Sequence, residues 1–317
     1  MWQITMQIFP YAIAYTVPLL IVALGALYCE RSGVVNIGLE GLMVIGSFAG
    51  ALTISPLQAQ FGEKEIWIIF VGLLVATLAG ALFSLLHAFA SINLQADQTI
   101  SGTAINLIAT AITVFFARNI TGSGNISVSP LLKNNIVGLS KIPIIGPLFF
   151  TNSYVTTWIV LLILAGLSFI LYKTAFGLRL RSCGEHPHAA DAAGINVGKM
   201  RYIGVLTSGA LAGLGGGIYL VTIAGEFNGS VSGIGFLALA ALIFGQWKPL
   251  GILAATFFFG FATTIANVSQ VIPSLAKIPP VALKVFPYVV TLLALIIFSK
   301  SMQAPKSAGE PFDHGKR

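Results

Sequence analysis

The stretch LRLRSCGEHPHAADAAGINVGKMRY, residues 178–202, is the longest polar island in an otherwise apolar chain. Hydrophobic residues fill 56% of the 317 positions and charged residues only 9%, with a mean hydropathy of +0.91. Soluble domains carry about 25% charged residues, so a soluble fold is excluded. Outward from the island on both sides, apolar runs recur that are long enough to cross a hydrocarbon layer, which takes about 17–25 residues. They lack the alternation of a membrane barrel, and helices are the remaining structure whose backbone satisfies itself in lipid. The chain reads as an all-α polytopic membrane protein with about 9–10 transmembrane helices.

Spans are expected near residues 8–28, 34–54, 66–87, 99–117, 153–173, 201–223, 231–246, 249–270 and 281–299. The run IPIIGPLFF, 142–150, is too short and too broken by Pro and Gly to cross. It reads as a re-entrant or surface piece, and it is the place for a tenth helix. Lys173, Arg179, Arg181, Lys199 and Arg201 surround the island, and Lys300, Lys306, Lys316 and Arg317 mark the tail. By the excess of Lys and Arg in cytoplasmic loops, both segments face the cytoplasm and the N-terminus faces out. The loop 118–152, with Arg118, Lys133 and Lys141, then falls outside against the rule. The net charge of +7 is read as loop charge, with no nucleic-acid partner. Cys29 and Cys183 are too few for a disulfide framework and read as free thiols. Residues 1–300 form one transmembrane domain, and 301–317 a short cytoplasmic tail. VNIGLEGLMVIG (35–46) and SGIGFLALAALI (232–243) share an Ile-Gly start and run in opposite directions, which suits an inverted repeat.

Ionisable groups in a span are expensive, so they face protein or water. Asn36, Glu40, Met43 and Ser47 recur at helical spacing. Glu40 either lines a solute path or is a buried carboxylate bonded to a neighbouring helix or an unwound backbone. Thr99, Thr103, Asn106, Thr110 and Thr113 form one stripe along the fourth span. Such a stripe is either interhelical hydrogen-bond glue or a polar, uncharged path. Thr263, Asn267 and Gln270 repeat the pattern more weakly in the eighth span. GLGGG, 213–217, sits in a membrane span and reads as close helix packing. GINVGKM, 194–200, has the wrong glycine spacing for a nucleotide loop, and His186 with His188 lacks the further ligands of a metal site. No nucleophile and base converge, so catalysis is not expected in this chain.

Within the island, HPHAADAAGINV reads as a short helix: Pro187 suits a first turn, the alanines favour helix and Gly194 suits the stop. About eight residues cannot hold a helix alone in water, so it lies against its own domain or a partner, and its small face would fit a shallow groove. This segment resembles the cytoplasmic coupling loop of ATP-binding-cassette (ABC) importer permeases, with Gly184, Glu185, Ala189, Ala190 and Gly194 at the matching positions, and the resemblance implies an ATPase-coupling role for these together with Pro187 and Ile195. ERSGVVNIGLEGLMVIGSFAG (30–50), DQTISGTAINLIAT (97–110) and GFLALAALIFGQWKPLGILAATFFFGFA (235–262) resemble the ribose/branched-chain-amino-acid branch of these permeases. Within it, they are similar to the nucleoside and simple-sugar group, as is the tail APKSAGEPFDHGKR.

The resemblance implies a type II-like ABC importer permease in the bacterial cell membrane, with the coupling loop at about 174–200. It implies an ABC ATPase subunit that holds ATP and Mg, a second permease that is a different, longer chain, and an extracellular substrate-binding lipoprotein, all assembled in membrane lipid. No cofactor or metal is expected in this chain itself. Asn36, Glu40, Thr103 and Asn106 become candidates for the path or its hinges. An ion-coupled secondary transporter of a polar uncharged solute is the main alternative, with Glu40 as its carboxylate, and a membrane scaffold without transport is a second.

Overall fold

In the computed structural model, which describes residues 2–136, 138–268, 279, 281–282, 285–286, 289 and 303–313, the apolar runs are helices. They are α1 (Trp2–Arg31), α2 (Leu39–Phe61), α3 (Ile66–Ala88), α4 (Gln98–Thr121), α5 (Val155–Lys173), α6 (Ala175–Glu185), α7 (Pro187–Ala192), α8 (Val197–Tyr219), α9 (Ile234–Phe244) and α10 (Pro249–Val268). A wider five-residue turn extends α3 to Asn93 and another extends α8 to Ala224. Among the described residues, seven helices are long and apolar enough to cross a membrane. The expected span 281–299 lies outside the described residues but for a few positions, as do Gln270, Lys300, Lys316 and Arg317. Residues 142–150 hold no crossing helix: a short turn at Leu139–Lys141 is followed by a single wide turn at Gly146–Phe150, so no tenth helix sits there.

The centre of the domain is the pair α1 and α8. The apolar windows of these spans are 89% and 72% buried, against 28% for α4 and for α5. A helix hydrophobic all round is buried by its neighbours. The glycines of α8 explain how those neighbours come so close. A Cβ on Gly213 would strike the Ala76 carbonyl of α3, one on Gly209 would strike Ser84, and one on Gly216 would strike the Met43 carbonyl of α2. Backbone-to-backbone contact of this kind maximises dispersion where lipid removes the hydrophobic driving force between helices. The expectation of close packing at GLGGG holds.

Two expected spans are broken, and these breaks position the site. The second span begins helically only at Leu39, because residues 32–38 leave α1 through Gly33 at φ +96° and stay irregular. The seventh, expected over 231–246, is an eleven-residue helix. At 1.5 Å per residue it is about 16 Å long, about half of a hydrocarbon layer. An irregular segment, 225–233, with two strand residues at Glu226–Phe227, precedes it. Gly225, Gly229 and Gly233 all take positive φ, which halts the helix of α8 and delays the start of α9.

The ends of the domain are consistent with the expected sidedness. The Ser307 N–H donates to the Gly184 carbonyl at 2.9 Å, so island and tail share one end. At the far end, strand β1 (Ile126–Ser127) pairs antiparallel with β2 (Glu226–Phe227), which places the loop 118–152 opposite the island. One charge differs from its sequence reading. Arg201 is 1% exposed, covered by the tail, and its Nη1 donates to the Glu310 carbonyl at 2.9 Å.

The packing yields a test. Gly213→Val is expected to destabilise the protein by at least about 3 kcal/mol, because the opposing atoms are backbone and cannot rotate away. Gly166→Ala on α5, where a Cβ meets open space, is expected to be neutral or stabilising by about 0.5–1 kcal/mol. Thermal unfolding of both variants in one detergent checks the contrast.

Candidate functional site

Irregular backbone at membrane depth survives only where its polar groups find partners. The irregular segment before α2 finds them in side chains. Asn36 Oδ1 accepts from the Gly38 N–H at 3.0 Å, and its Nδ2 donates to Ser208 Oγ of α8 at 3.1 Å. From α4, Asn106 Oδ1 accepts from the Gly41 N–H at 2.7 Å and Nδ2 donates to the Ile37 carbonyl at 3.0 Å. Both backbone groups of Val35 are satisfied: its N–H donates to Gln98 Oε1 at 2.7 Å, and its carbonyl lies 3.1 Å from His87 Nε2. A carbonyl only accepts, so Nε2 carries the His87 proton and Nδ1 accepts from Ser101 Oγ at 3.0 Å.

Glu40 binds the second break to the first. Its Oε1 accepts from the Gly233 N–H at 2.9 Å and its Oε2 from the Gly235 N–H at 2.7 Å. The carboxylate thus caps the first turn of α9, where the unpaired N–H groups and the helix dipole favour negative charge. A Cβ on Gly235 would come within 2.5 Å of the Glu40 backbone, so the two helix starts touch. The two Ile-Gly segments paired in the sequence meet at this junction.

Three of the four residues singled out for the path or hinge therefore converge, Asn36, Glu40 and Asn106. Thr103 does not join them. It is exposed on α4, and its hydroxyl donates to the Thr99 carbonyl of its own helix. Thr110 and Thr113 likewise donate to the carbonyls of Asn106 and Ala109, at 3.0 and 2.7 Å. The hydroxyls of Thr103, Thr110 and Thr113 bond their own helix, and the Asn106 amide is the group that reaches across. His87, Gln98 and Ser208 were not singled out in the sequence. Each is a polar residue in or at the edge of an apolar span, and that cost was the available signal.

At the island end, the short helix is built as its residues imply. α7 opens with Pro187, and His186 Nδ1 accepts from the Ala189 N–H at 3.3 Å. Gly194 ends the segment at φ +80°. Pro187 and Ala190 face inward, and Ile195 packs against the cluster of Cys183, Ala190 and Val197. His188, Ala189, Ala192, Ala193 and Gly194 are exposed. α6, which precedes it, was not expected as a helix; Thr174 Oγ1 starts it by accepting from the Gly177 N–H at 3.2 Å. Both cysteines are free and buried, and burial pushes the Cys183 thiol up. Among the described residues, no three His, Cys, Asp or Glu side chains gather to hold a metal ion.

Contacts run from this segment toward the junction. A Cβ on Gly184 would lie 2.5 Å from the Arg31 carbonyl, so the segment sits directly on the end of α1. Glu185 Oε1 pairs with Arg31 Nη1 at 3.3 Å. Arg31 Nη2 donates to the Trp247 carbonyl at 3.0 Å, and Trp247 Nε1 donates to Glu30 Oε2 at 2.5 Å. Trp247 closes the turn after α9, whose other end Glu40 holds. The tail crosses the same surface: the Gly309 N–H donates to the Gly33 carbonyl at 3.2 Å, and Phe312 lies 5.2 Å from the His188 ring.

Removing the junction's acceptor tests its weight. Glu40→Ala leaves the Gly233 and Gly235 N–H groups without their carboxylate and is expected to destabilise by about 2 kcal/mol or more, at about 1–3 kcal/mol per buried unpaired group. Glu40→Gln keeps one acceptor oxygen and should lose roughly half as much, about 1 kcal/mol. Equal losses in thermal unfolding would contradict the capping role.

Comparison with known proteins identifies the scaffold. A family described as "Branched-chain amino acid transport system / permease component" matches residues 8–295. The chain is 49% identical over 319 residues to "Guanosine ABC transporter permease protein NupQ" of Bacillus subtilis (strain 168), covering 99% of each chain. It is 42% identical over 297 residues to "Nucleoside ABC transporter permease protein NupC" of Lactococcus lactis subsp. cremoris (strain MG1363), covering 93% of each. More distantly, it is 24% identical over 307 residues to "Nucleoside ABC transporter permease protein NupB" of the same organism, covering 92% of this chain and 79% of that one. No solved structure matches. The chain belongs to the branched-chain amino acid transport system permease component family, as a multi-pass transport component of the bacterial plasma membrane and not an enzyme.

Proposed function

We propose that this chain is the membrane-spanning permease subunit of an ATP-driven importer of nucleosides. The observation that carries the substrate class is near-full-length similarity, at 49% and 42% identity, to two permeases named for guanosine and for nucleosides. A permease of this kind works with a separate ATPase and another permease subunit. The second permease is a different, longer chain: the relative named NupB is matched along only 79% of its length by nearly the whole of this one. ATP and Mg belong to the ATPase, and an extracellular binding lipoprotein delivers the solute. A nucleoside carries no net charge, so the membrane potential does little work on it and accumulation needs ATP.

The mechanism runs through the contacts of the coupling end. The exposed alanine face of α7, bounded by Glu185 and Gly194, docks in a shallow groove of the ATPase. Displacement of Gly184 and Glu185 bears on Arg31, and Arg31 bears on Trp247. Trp247 moves α9, and α9 moves against Glu40. Asn36, Glu40 and Asn106 then act as hinge points, since side-chain hydrogen bonds re-form more readily than a continuous helical ladder. Thr103, exposed on α4, is proposed to face the path between the two permeases. The carboxylate of Glu40 is engaged by two backbone N–H groups, which favours its capping role over that of a proton or sodium site.

The test uses the assembled complex in proteoliposomes. Glu185→Arg places like charges 3.3 Å apart where Arg31 now pairs, and is expected to lower ATP-driven nucleoside uptake at least tenfold. Arg31→Glu in the same chain should restore part of it. Uptake that persists in ATP-free vesicles with a clamped ion gradient would favour the ion-coupled alternative. Wild-type uptake by Glu185→Arg would refute the coupling role.

A further inference from the structure

One cavity of about 340 Å³ lies inside the domain, between α1, α8, α9 and α10. Small-molecule sites have volumes of about 300–1,000 Å³, so its size suits a single ligand. Its wall combines Tyr15 of α1, Tyr219 of α8, Ser232, Leu237 of α9, and Thr263 and Asn267 of α10. Among the described residues, no Asp, Glu, Lys, Arg or His lines it. The polar groups are organised in pairs. Asn267 Nδ2 donates to the Tyr15 hydroxyl at 3.0 Å, and the Tyr219 hydroxyl lies 2.8 Å from Ser232 Oγ. Hydroxyls and an amide both donate and accept, so each pair can exchange a mutual bond for bonds to a ligand.

This chemistry selects its ligand. An ionic group here would enter a low-dielectric site without a counter-charge, at prohibitive cost. A purely apolar ligand would strand the hydroxyls. A neutral molecule with a flat heterocycle and several hydroxyls meets both conditions, its ring against the tyrosine faces and its hydroxyls on Ser232, Thr263 and Asn267. The placement is also mechanical. Ser232 adjoins Gly233 and Leu237 lies in the first turn of α9, the turn capped by Glu40. A shift of α9 therefore reshapes this wall. Ser232 and Asn267 are exposed, and Tyr219 is buried, which gives the cavity an open and a closed side.

We infer that this cavity is a nucleoside station within the single permease subunit, with Tyr15 and Tyr219 holding the base and Ser232, Thr263 and Asn267 reading the ribose hydroxyls. The inference rests on the nucleoside reading above. It is tested on the complete complex in proteoliposomes with radiolabelled adenosine and uridine. Thr263→Phe, which fills the cavity, is expected to cut uptake at least tenfold while the complex remains monodisperse. Asn267→Ala is expected to raise the half-saturating concentration at least fivefold. Because a filled cavity can also distort the fold, a footprint gives a second readout. Adenosine should slow maleimide labelling of Ser232→Cys at least threefold, and adenosine monophosphate should not. If the unsubstituted complex imports nucleosides while Thr263→Phe keeps its rate and labelling ignores adenosine, the station falls and the nucleoside reading stands. Labelling that responds to detergent exchange but not to adenosine would assign the cavity to a lipid chain and overturn the proposal. If the unsubstituted complex imports neither nucleoside, both readings fall.

Discussion

The structure depends on one constraint: within lipid, every peptide N–H and C=O needs a protein partner. Continuous helices meet it locally and can only move as rods. This chain twice departs from the helix, at residues 32–38 and 225–233, and repairs the first mainly with side chains and the second with strand β1 and side chains together. Asn36, Gln98 and Asn106 answer the first, and Glu40 answers the second. The only residue types able to do this are polar, which is why a chain with so few charges keeps them here.

The repair is shared among elements that lie far apart in the chain. Asn106 sits on α4, His87 on α3 and Ser208 on α8, yet all three serve the short segment before α2. Such a junction is strong only when complete, because one missing partner exposes a buried polar group at about 1–3 kcal/mol. It is also discrete, since hydrogen bonds switch partners where packed cores deform little. That combination suits a place where helices must change angle without melting. The glycine-lined contacts of α8 with α2 and α3 do the reverse, bringing backbones into direct contact with no side chain to rearrange.

The polar end of the molecule follows the same economy. The exposed Arg31–Glu185 pair contributes little to stability by itself, about 0.2–1 kcal/mol for a surface pair. Its importance is geometric, because Arg31 also holds the Trp247 carbonyl and so joins the polar island to the turn after α9. The tail, which reads as a plain polar extension, lies across Gly33, Gly184, Arg201 and His188. It covers the guanidinium of Arg201, whose charge the sequence places among the loop charges of a cytoplasmic segment.

Much of this was legible in the residues. Apolar run length determined the membrane class and most of the spans, because the thickness of lipid sets the length of a helix that crosses it. Pro187, the alanines and Gly194 determined the short helix of the polar island, since first-turn proline, helix propensity and positive φ act locally. Thr103 and Asn106 looked equivalent on one helical stripe, and only the fold separated them: a hydroxyl can bond its own helix, whereas an amide reaches the next. The half-length of α9 and the meeting of Glu40 with Gly233 were likewise decided by tertiary structure. Hydropathy counts apolar residues without seeing whether their backbone is helical, and a partner 193 positions away leaves no local trace.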